Sequence, residues 1–268
     1  MSTFATRSFP GVSALRGVLI LIFCLGISVA AARAEAVSFT NLLAQGERAE
    51  QRGDVTDALK LYTAADHLMP TNSAELCVLT KRYCDLMHIT SSSGTQKVLA
   101  EQALAAALRA VQADSNNATA HLCVAVSYAK NFPYADNATR VRWSKAIKSE
   151  CETAIALDST QDVGYYLLGR WHFGVANMNI FLKGFVRIVY GGLPHASNED
   201  AIKNFKQAIE LAPNRIIHHL ELAKAYEVTG QKKLAQAELE QCRALKPVDR
   251  DDEDAKADAI TRLAKMSK

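Results

Sequence analysis

The residues of this sequence that could do chemistry are scattered rather than grouped. The sequence has seven histidines and six cysteines, but no G-x-x-x-x-G-K-[ST] phosphate loop, no H-E-x-x-H zinc motif and no G-x-S-x-G nucleophile elbow. His121 could act as a base beside Cys123 or Cys151, but no third residue that would orient the histidine is evident. We therefore predict a protein that is not an enzyme and that uses no cofactor.

The spacing of the histidines and cysteines does not fit a metal site either. His218 and His219 are adjacent, so on a helix they point to different faces, and we expect one to be packed and the other to be solvated. The cysteines occur singly with no C-x-x-C pair, which argues against a zinc site or a disulfide framework. Cys123, Cys151 and Cys242 fall at apolar helix positions and are expected to be small core residues.

The amino-terminal segment, residues 1–34, differs from the rest of the chain. It contains three arginines and no acidic residue, and residues 18–31 form an apolar run that is followed by Ala32-Arg33-Ala34. This order is typical of a secretory signal peptide, with cleavage before Glu35. Cleavage would give an exported protein, periplasmic or secreted. The alternative is an uncleaved segment that leaves the protein membrane-anchored, and a transit peptide is a third choice.

The charge of the chain argues against nucleic acid as a partner. The whole sequence has 31 basic and 28 acidic side chains, and removal of residues 1–34 leaves 28 of each. A protein without net positive charge lacks the electrostatic basis of nucleic-acid binding. We expect no nucleic-acid partner, and the composition says nothing about the oligomeric state.

The stretch from Pro213 to Pro247 has the pattern of two paired helices. Gly230 marks the turn, and Pro247 stops the second helix. The positions where the two helices would interlock carry Leu222, Ala223, Tyr226, Ala235, Leu239 and Cys242. This pattern, and the distance from one proline to the other, are those of the tetratricopeptide repeat.

The same sequence pattern occurs five times along the chain, in units that end at Pro70, Ser115, Ser159, Pro213 and Pro247. In every unit a small or branched residue lies at the same distance before the end: Ala58, Ala103, Ile147, Ala201 and Ala235. The spacing predicts an all-α fold, a solenoid of about five helix pairs over residues 35–250. Residues 251–268 have an acidic start and a weak apolar stripe, which predict a C-terminal capping helix.

The units differ in length, and the surplus residues lie between the two helices of units two, three and four. The unit that ends at Pro213 is the longest, and the unit that ends at Pro247 has the length of a plain repeat. We therefore expect long inter-helix insertions that project from one rim of the solenoid, including a polar loop at residues 91–94.

The longest insertion is almost entirely apolar. We interpret residues 175–192 as a continuation of the helix that begins near Asp162, which gives one helix of about 43 Å at 1.5 Å per residue. On this helix Lys183 and Arg187 lie four residues apart, on one narrow polar stripe.

Two interpretations of the insertion stay open, because so wide an apolar surface must be buried against another apolar surface. In one, residues 175–192 fold back into the solenoid channel and become core. In the other they contact membrane or lipid, with Phe181 and Phe185 in the apolar layer and Lys183 and Arg187 at headgroup level.

The concave groove is the second candidate binding site. By repeat register the first helices direct Lys81, Tyr166, Arg170 and Lys224 toward the groove. The basic members could form a track for an extended acidic peptide of a partner protein. The alternative is a solvated face of mixed charge, because acidic residues are interleaved with the basic ones.

The order of motifs across roughly residues 98–265 resembles the regulator of microtubule dynamics family of tetratricopeptide-repeat proteins. The motifs that carry the resemblance are Ala154-Ile-Ala-Leu-Asp158, Tyr166-Leu-Leu-Gly169-Arg170-Trp171, the insertion ending in Pro194-His-Ala-Ser197, Ala201-x-x-x-Phe205, and Leu222-Ala223-Lys224-x-Tyr226. The resemblance implies an all-helical repeat domain linked to microtubules, spindles and contacts between organelles, and an acidic tubulin-like tail as the groove ligand. An export signal, in contrast, would separate the mature protein from cytoplasmic filaments.

Overall fold

Helices, most of them packed in pairs, make up the part of the chain that the computed structural model describes, residues 38–68 and 70–266. These ranges contain twelve α-helices and no strand, which confirms the predicted all-α class. The predicted signal peptide or anchor at residues 1–34 lies outside them. The described residues fall into two compact units, one ending near residue 68 and the other running from residue 70 to residue 266.

The first unit is a single helix pair, α1 (Phe39–Gln51) and α2 (Val55–His67). Gly53 turns the chain between them with a φ of 77°, a conformation that glycine adopts without strain. A Cβ on Gly46 would lie 2.3 Å from the ring of Tyr62, so glycine at this position lets the two helices approach closely. The Tyr62 hydroxyl donates a hydrogen bond to Glu50 (2.9 Å), so the buried ring keeps a partner for its polar end.

The second unit repeats the same design, and several of its helices are longer. A polar side chain caps the amino terminus of several of them; Asn117, for example, accepts a hydrogen bond from the backbone N–H of Ala120. The helices are α3 (Ser73–Ile89), α4 (Ser93–Ala113), α5 (Ala118–Asn131), α6 (Asn137–Leu157), α7 (Asp162–Ala176), α8 (Ile180–Tyr190), α9 (Asn198–Leu211), α10 (Ile216–Val228), α11 (Lys232–Ala244) and α12 (Arg250–Met266).

Packing in the second unit follows the tetratricopeptide order. The pairs α3–α4, α5–α6, α7–α9 and α10–α11 each pack internally, and each pair contacts the next. The first helices of successive pairs also contact one another, and α12 packs on α10 and α11. Ala103, Ala201 and Ala235 are fully buried and Ile147 is nearly so, as the constant spacing predicted. The predicted tetratricopeptide-like solenoid is therefore confirmed.

The surplus residues of units two and three lengthen helices rather than loops. α4 and α6 each have 21 residues, whereas α11 has 13. The polar loop that we expected at residues 91–94 was wrong in part, because the Ser92 side chain caps α4 and Gly94 already lies in the helix. Serine accepts the N–H of Thr95, so the polar run starts a helix instead of interrupting one.

The single long helix predicted from Asp162 to the end of the insertion was also wrong. α7 ends at Ala176, and the Asn177 side chain donates hydrogen bonds to Phe173 O (2.8 Å) and Asn198 Oδ1 (2.7 Å). Asn179 then caps α8 by accepting the N–H of Phe181 (2.9 Å). Two asparagines that bond local backbone groups thus divide the apolar run into two helices.

Candidate binding surfaces

The four predicted groove residues lie on three first helices of the second unit. Lys81 on α3, Arg170 on α7 and Lys224 on α10 occupy the same repeat position, each at the same distance after the preceding unit end. Tyr166 precedes Arg170 by one helical turn. We call the side of α3, α5, α7 and α10 that carries this repeat position the groove face.

Tyr166 and Arg170 form a contact pair on the groove face. Arg170 Nη1 donates to the Tyr166 hydroxyl (3.2 Å), and its guanidinium lies 5.8 Å from the ring centroid, in the range of a cation–π contact. The Tyr166 ring lies 5.0 Å from the ring of His218 on α10. Tyr166 therefore contacts both His218 and the exposed Arg170, for which its ring is a platform.

Behind this pair, His218 joins two repeats. Its Nε2 lies 2.8 Å from Asp162 Oδ2 at the start of α7. The hydrogen bond from His218 is the main reason that the pKa of the Asp162 carboxyl falls below its ordinary value. Contacts through His218 and Tyr166 therefore connect the ionised, partly buried carboxylate of Asp162 to the exposed cation of Arg170.

The two lysines of the predicted basic track are paired with carboxylates. Lys81 Nζ donates to Asp85 Oδ2 (2.8 Å), and Lys224 Nζ lies 3.0 Å from Glu221 and 3.3 Å from Asp258. These pairs reduce the positive charge that either lysine offers to a ligand. The mixed charge that the sequence suggested is thus visible on this face.

The C-terminal helix α12 contributes part of that charge balance. Arg262 on α12 bonds Glu227 on α10 and its own neighbour Asp258 (3.0 Å). Asp252 is fully buried and accepts the backbone N–H of Ile217 (3.0 Å) at the start of α10. Polar contacts therefore fix α12 against the last helix pair.

The insertion helix α8 is largely exposed. Phe181 is 84% exposed and Ile188 is 85% exposed, while Val186 is the one residue of α8 that is buried. The interpretation of residues 175–192 as core was therefore wrong for α8, although Val175 is buried and the following loop returns Leu193 to the core around Trp171.

The side chains predicted for membrane contact lie along α8. Phe181 and Phe185 are exposed, and the Phe185 ring meets the Tyr190 ring edge-on at 5.8 Å. Lys183 and Arg187 are exposed one turn apart, and Lys183 Nζ reaches Ala176 O (3.4 Å). Within residues 38–68 and 70–266, no helix has the length and apolarity that crossing a membrane requires.

The structure contains a repeated histidine contact that the sequence reasoning missed. His121 Nδ1 lies 2.6 Å from Glu150 and its Nε2 lies 2.9 Å from Ser115 O. His219 repeats the arrangement, with Glu238 at 2.7 Å and Pro213 O at 2.9 Å. We call these two groups the histidine clamps. Because both ring nitrogens face oxygen acceptors, the protonated imidazolium satisfies both contacts.

The clamps share one register, which is the signal that could have revealed them. Each histidine lies at the same distance after its preceding unit end, and each glutamate lies at the same distance after its seam residue. Burial lowers the pKa of both histidines, but their hydrogen bonds to the carbonyl and the glutamate outweigh it, so both pKa values rise. The expectation that one of His218 and His219 is solvated was wrong, because both are buried beside a carboxylate.

The thiols beside His121 are not arranged as nucleophiles. Both nitrogens of His121 already contact oxygen atoms, and burial raises the pKa of Cys151 to about 12. The five cysteines of the described chain are free thiols. Across the same residues, no group of three or more histidine, cysteine or acidic side chains is placed to hold a metal ion.

Comparison with known proteins identifies a family and a fold. Residues 41–267 match the family described as regulator of microtubule dynamics protein 1-3. The chain is 26% identical over 212 residues to regulator of microtubule dynamics protein 1 from Mus musculus, which covers 78% of this chain and 68% of that protein. The match to protein 3 from Xenopus laevis is 26% over 162 residues, with 59% of this chain and 34% of that protein covered.

Among solved structures, a thermophilic tetratricopeptide-repeat protein from Thermus thermophilus is similar to this chain. The TM-score is 0.57 at 18% sequence identity, and the match covers 84% of this chain and 100% of that chain. A likeness at this identity shows the shared repeat fold.

Proposed function

Because this chain belongs to the regulator of microtubule dynamics family, we propose that it is a non-catalytic scaffold that binds a partner protein along its groove face. The observation that carries the proposal is the side-by-side packing of first helices, α3 with α5, α5 with α7 and α7 with α10. Such packing gives an extended row of equivalent side chains, the surface on which tetratricopeptide arrays bind peptides.

The proposed ligand is an extended acidic peptide, with a tubulin-like tail as the candidate that the family suggests. Arg170 supports this choice, since it is exposed on its Tyr166 platform and carries a planar donor set suited to carboxylates. Lys81 and Lys224 can join only by exchanging their present carboxylate partners for those of the ligand.

Fluorescence anisotropy with a glutamate-rich synthetic peptide tests this site. Arg170→Glu should weaken binding by about tenfold or more, because it replaces the exposed cation by a like charge. Lys206→Glu makes the same charge change at an exposed position of α9, outside the groove face, and should leave affinity within about twofold. Equal affinities for the two variants would contradict the groove assignment.

A second candidate function is membrane association through residues 175–192. The exposed apolar side chains of α8 support it, since soluble proteins rarely leave such a cluster uncovered. Co-flotation with vesicles tests the idea, and the variant Phe181→Ser with Ile188→Ser is the comparison. A double variant that floats as well as the parent protein would count against α8 as the attachment point.

The compartment is part of the proposal as well. We propose that residues 1–34 direct export, with retention as a membrane anchor as the alternative, because the apolar run and Ala32-Arg33-Ala34 fit a signal peptide. Mass spectrometry of the native amino terminus decides between them. A protein that begins at Glu35 in an exported fraction would exclude direct action on cytoplasmic microtubules.

A further inference from the structure

The exposed helix α8 lies beside the basic first half of α6. Residues 137–148 contain Arg140, Arg142, Lys145 and Lys148 and no acidic residue. Helix α6 packs against α8, and Lys145 Nζ reaches Tyr190 O (3.5 Å) at the C-terminal end of α8. Arg142 lies one turn before Lys145, so both side chains lie on neighbouring parts of the same helix surface.

The insertion itself adds positive charge and no negative charge. Residues 163–198 contain no aspartate or glutamate, and Lys183 and Arg187 are exposed along one edge of α8. On a helical projection these two cations lie together, next to the apolar arc formed by Ile180, Phe181 and Ile188. The helix is thus apolar outward and basic at its margin.

Three carboxylates of α6, its amino-terminal cap and α9 have local partners. Asp136 caps α6 by accepting the N–H of Thr139 (2.8 Å), Glu152 is paired with Lys148, and Asp200 accepts the Ser197 hydroxyl (2.7 Å). Arg142 and Lys145 are both exposed at the surface of α6, although Asp136 lies near enough to interact electrostatically with Arg142.

We propose that α6 and α8 together form a docking surface for membranes rich in anionic phospholipid. This inference rests on the second candidate function and adds the lipid class and the participation of α6. Helix α8 lies in the headgroup plane with Phe181 and Ile188 between the lipids, while Arg142 and Lys145 face anionic headgroups beside it. Charge complementarity selects this occupant, because a zwitterionic membrane would use the apolar arc but leave the cations without a counterpart.

Hydrogen–deuterium exchange of the full chain measures this contact at the helix itself. Because exchange is followed at residues 180–190, attachment through another segment does not count as binding by this surface. The two probes are vesicles of phosphatidylcholine alone and vesicles of phosphatidylcholine with phosphatidylglycerol. We expect slower exchange in α8 with the anionic vesicles and little change with the neutral ones.

Two variants separate the charge contribution from the apolar one. A basic residue near an anionic surface contributes about fivefold to affinity, so Arg142→Gln with Lys145→Gln should raise the lipid concentration needed for protection by about 25-fold. The matched control, Lys232→Gln with Lys233→Gln, removes two exposed charges on α11 and should change nothing. Phe181→Ser with Ile188→Ser should abolish protection altogether.

The possible results test the anionic-lipid inference separately from membrane association, the candidate function on which it rests. Equal protection by neutral and anionic vesicles, or no effect of the α6 variant, would overturn the anionic-lipid inference and leave membrane association standing. No protection by either vesicle overturns both. Protection that appears without lipid and grows with protein concentration would show that a second copy of the chain covers α8, and this also overturns the inference.

Discussion

Helices α8 and α10 are both apolar and similar in length, yet one is exposed and the other is buried. Nine of the 13 residues of α10 are buried, against one of the 11 in α8. Helix α10 contacts α7, α9, α11 and α12, since the repeat supplies a neighbour on each side, whereas α8 meets mainly α6. The difference shows that burial here is decided by place in the repeat and not by apolarity alone.

Truncation of one phenylalanine in each region should give the largest contrast. Phe205 on α9 is fully buried against Gly169, so Phe205→Ala should lower the free energy of unfolding by about 3–5 kcal/mol. Phe181 is 84% exposed, so Phe181→Ala should change it by about 0.5 kcal/mol or less. Urea denaturation measures both. A similar loss in the two variants would show that α8 is packed in the folded protein.

Adding one methyl group to a glycine in each region should give effects of opposite sign. A Cβ at Gly169 would lie 2.7 Å from the Phe205 ring, so Gly169→Ala should lower the free energy of unfolding by about 1–3 kcal/mol. A Cβ at Gly184 in α8 meets nothing within 4 Å, so Gly184→Ala should favour the helix by about 0.5–1 kcal/mol.

The measurement for this pair combines urea denaturation with the exchange rates of the α8 amides. Gly184→Ala should slow exchange in residues 180–190 without lowering global stability. Faster exchange after this substitution would contradict the open surroundings of Gly184.

The repeat core was predictable because its spacing is enforced by packing. The close contact of two helices requires small residues at Ala103, Ala201 and Ala235. Their distance from the unit ends stays the same although the helices differ in length. The contact between Tyr166 and Arg170 could also be predicted, since residues four apart on a helix are neighbours.

What the sequence could not provide depends on contacts between distant segments. The pairing of Lys224 with Asp258 requires α12 to lie on α10, and the His121–Glu150 contact joins α5 to α6 across 29 residues. The break before α8 was missed because the run is apolar throughout, and only the local bonds of Asn177 and Asn179 end one helix and start the next.

The histidine clamps should make the repeat core, and not α8, sensitive to pH. The folded pKa values of His121 and His219 lie above the ordinary value of about 6.5. Their stabilisation is therefore complete below about pH 6.5 and is lost as the pH rises through the folded pKa values. Solvent screening limits each clamp to about 1 kcal/mol.

Urea denaturation of the parent protein and of His219→Gln across this pH range tests the clamp. The variant should be less stable than the parent near pH 6, and the difference should shrink as the pH rises. His172 has a pKa lowered mainly by burial and so acts in the opposite direction, but it is present in both proteins and cancels in the difference. A difference that grows with pH would show that His219 is held neutral.

The smallest expected effect is a change in global stability in the repeat core and a change in local exchange in α8. The caps Ser197 of α9 and Asn179 of α8 each accept a backbone N–H, at 3.0 and 2.9 Å. Ser197→Ala should lower the free energy of unfolding by about 1 kcal/mol, because α9 is part of the cooperative core. Asn179→Ala should leave global stability unchanged and speed exchange in residues 180–190 by about fivefold, the same energy expressed locally. If Asn179→Ala instead lowers global stability as much as Ser197→Ala does, α8 unfolds together with the repeats and the contrast between the two regions fails.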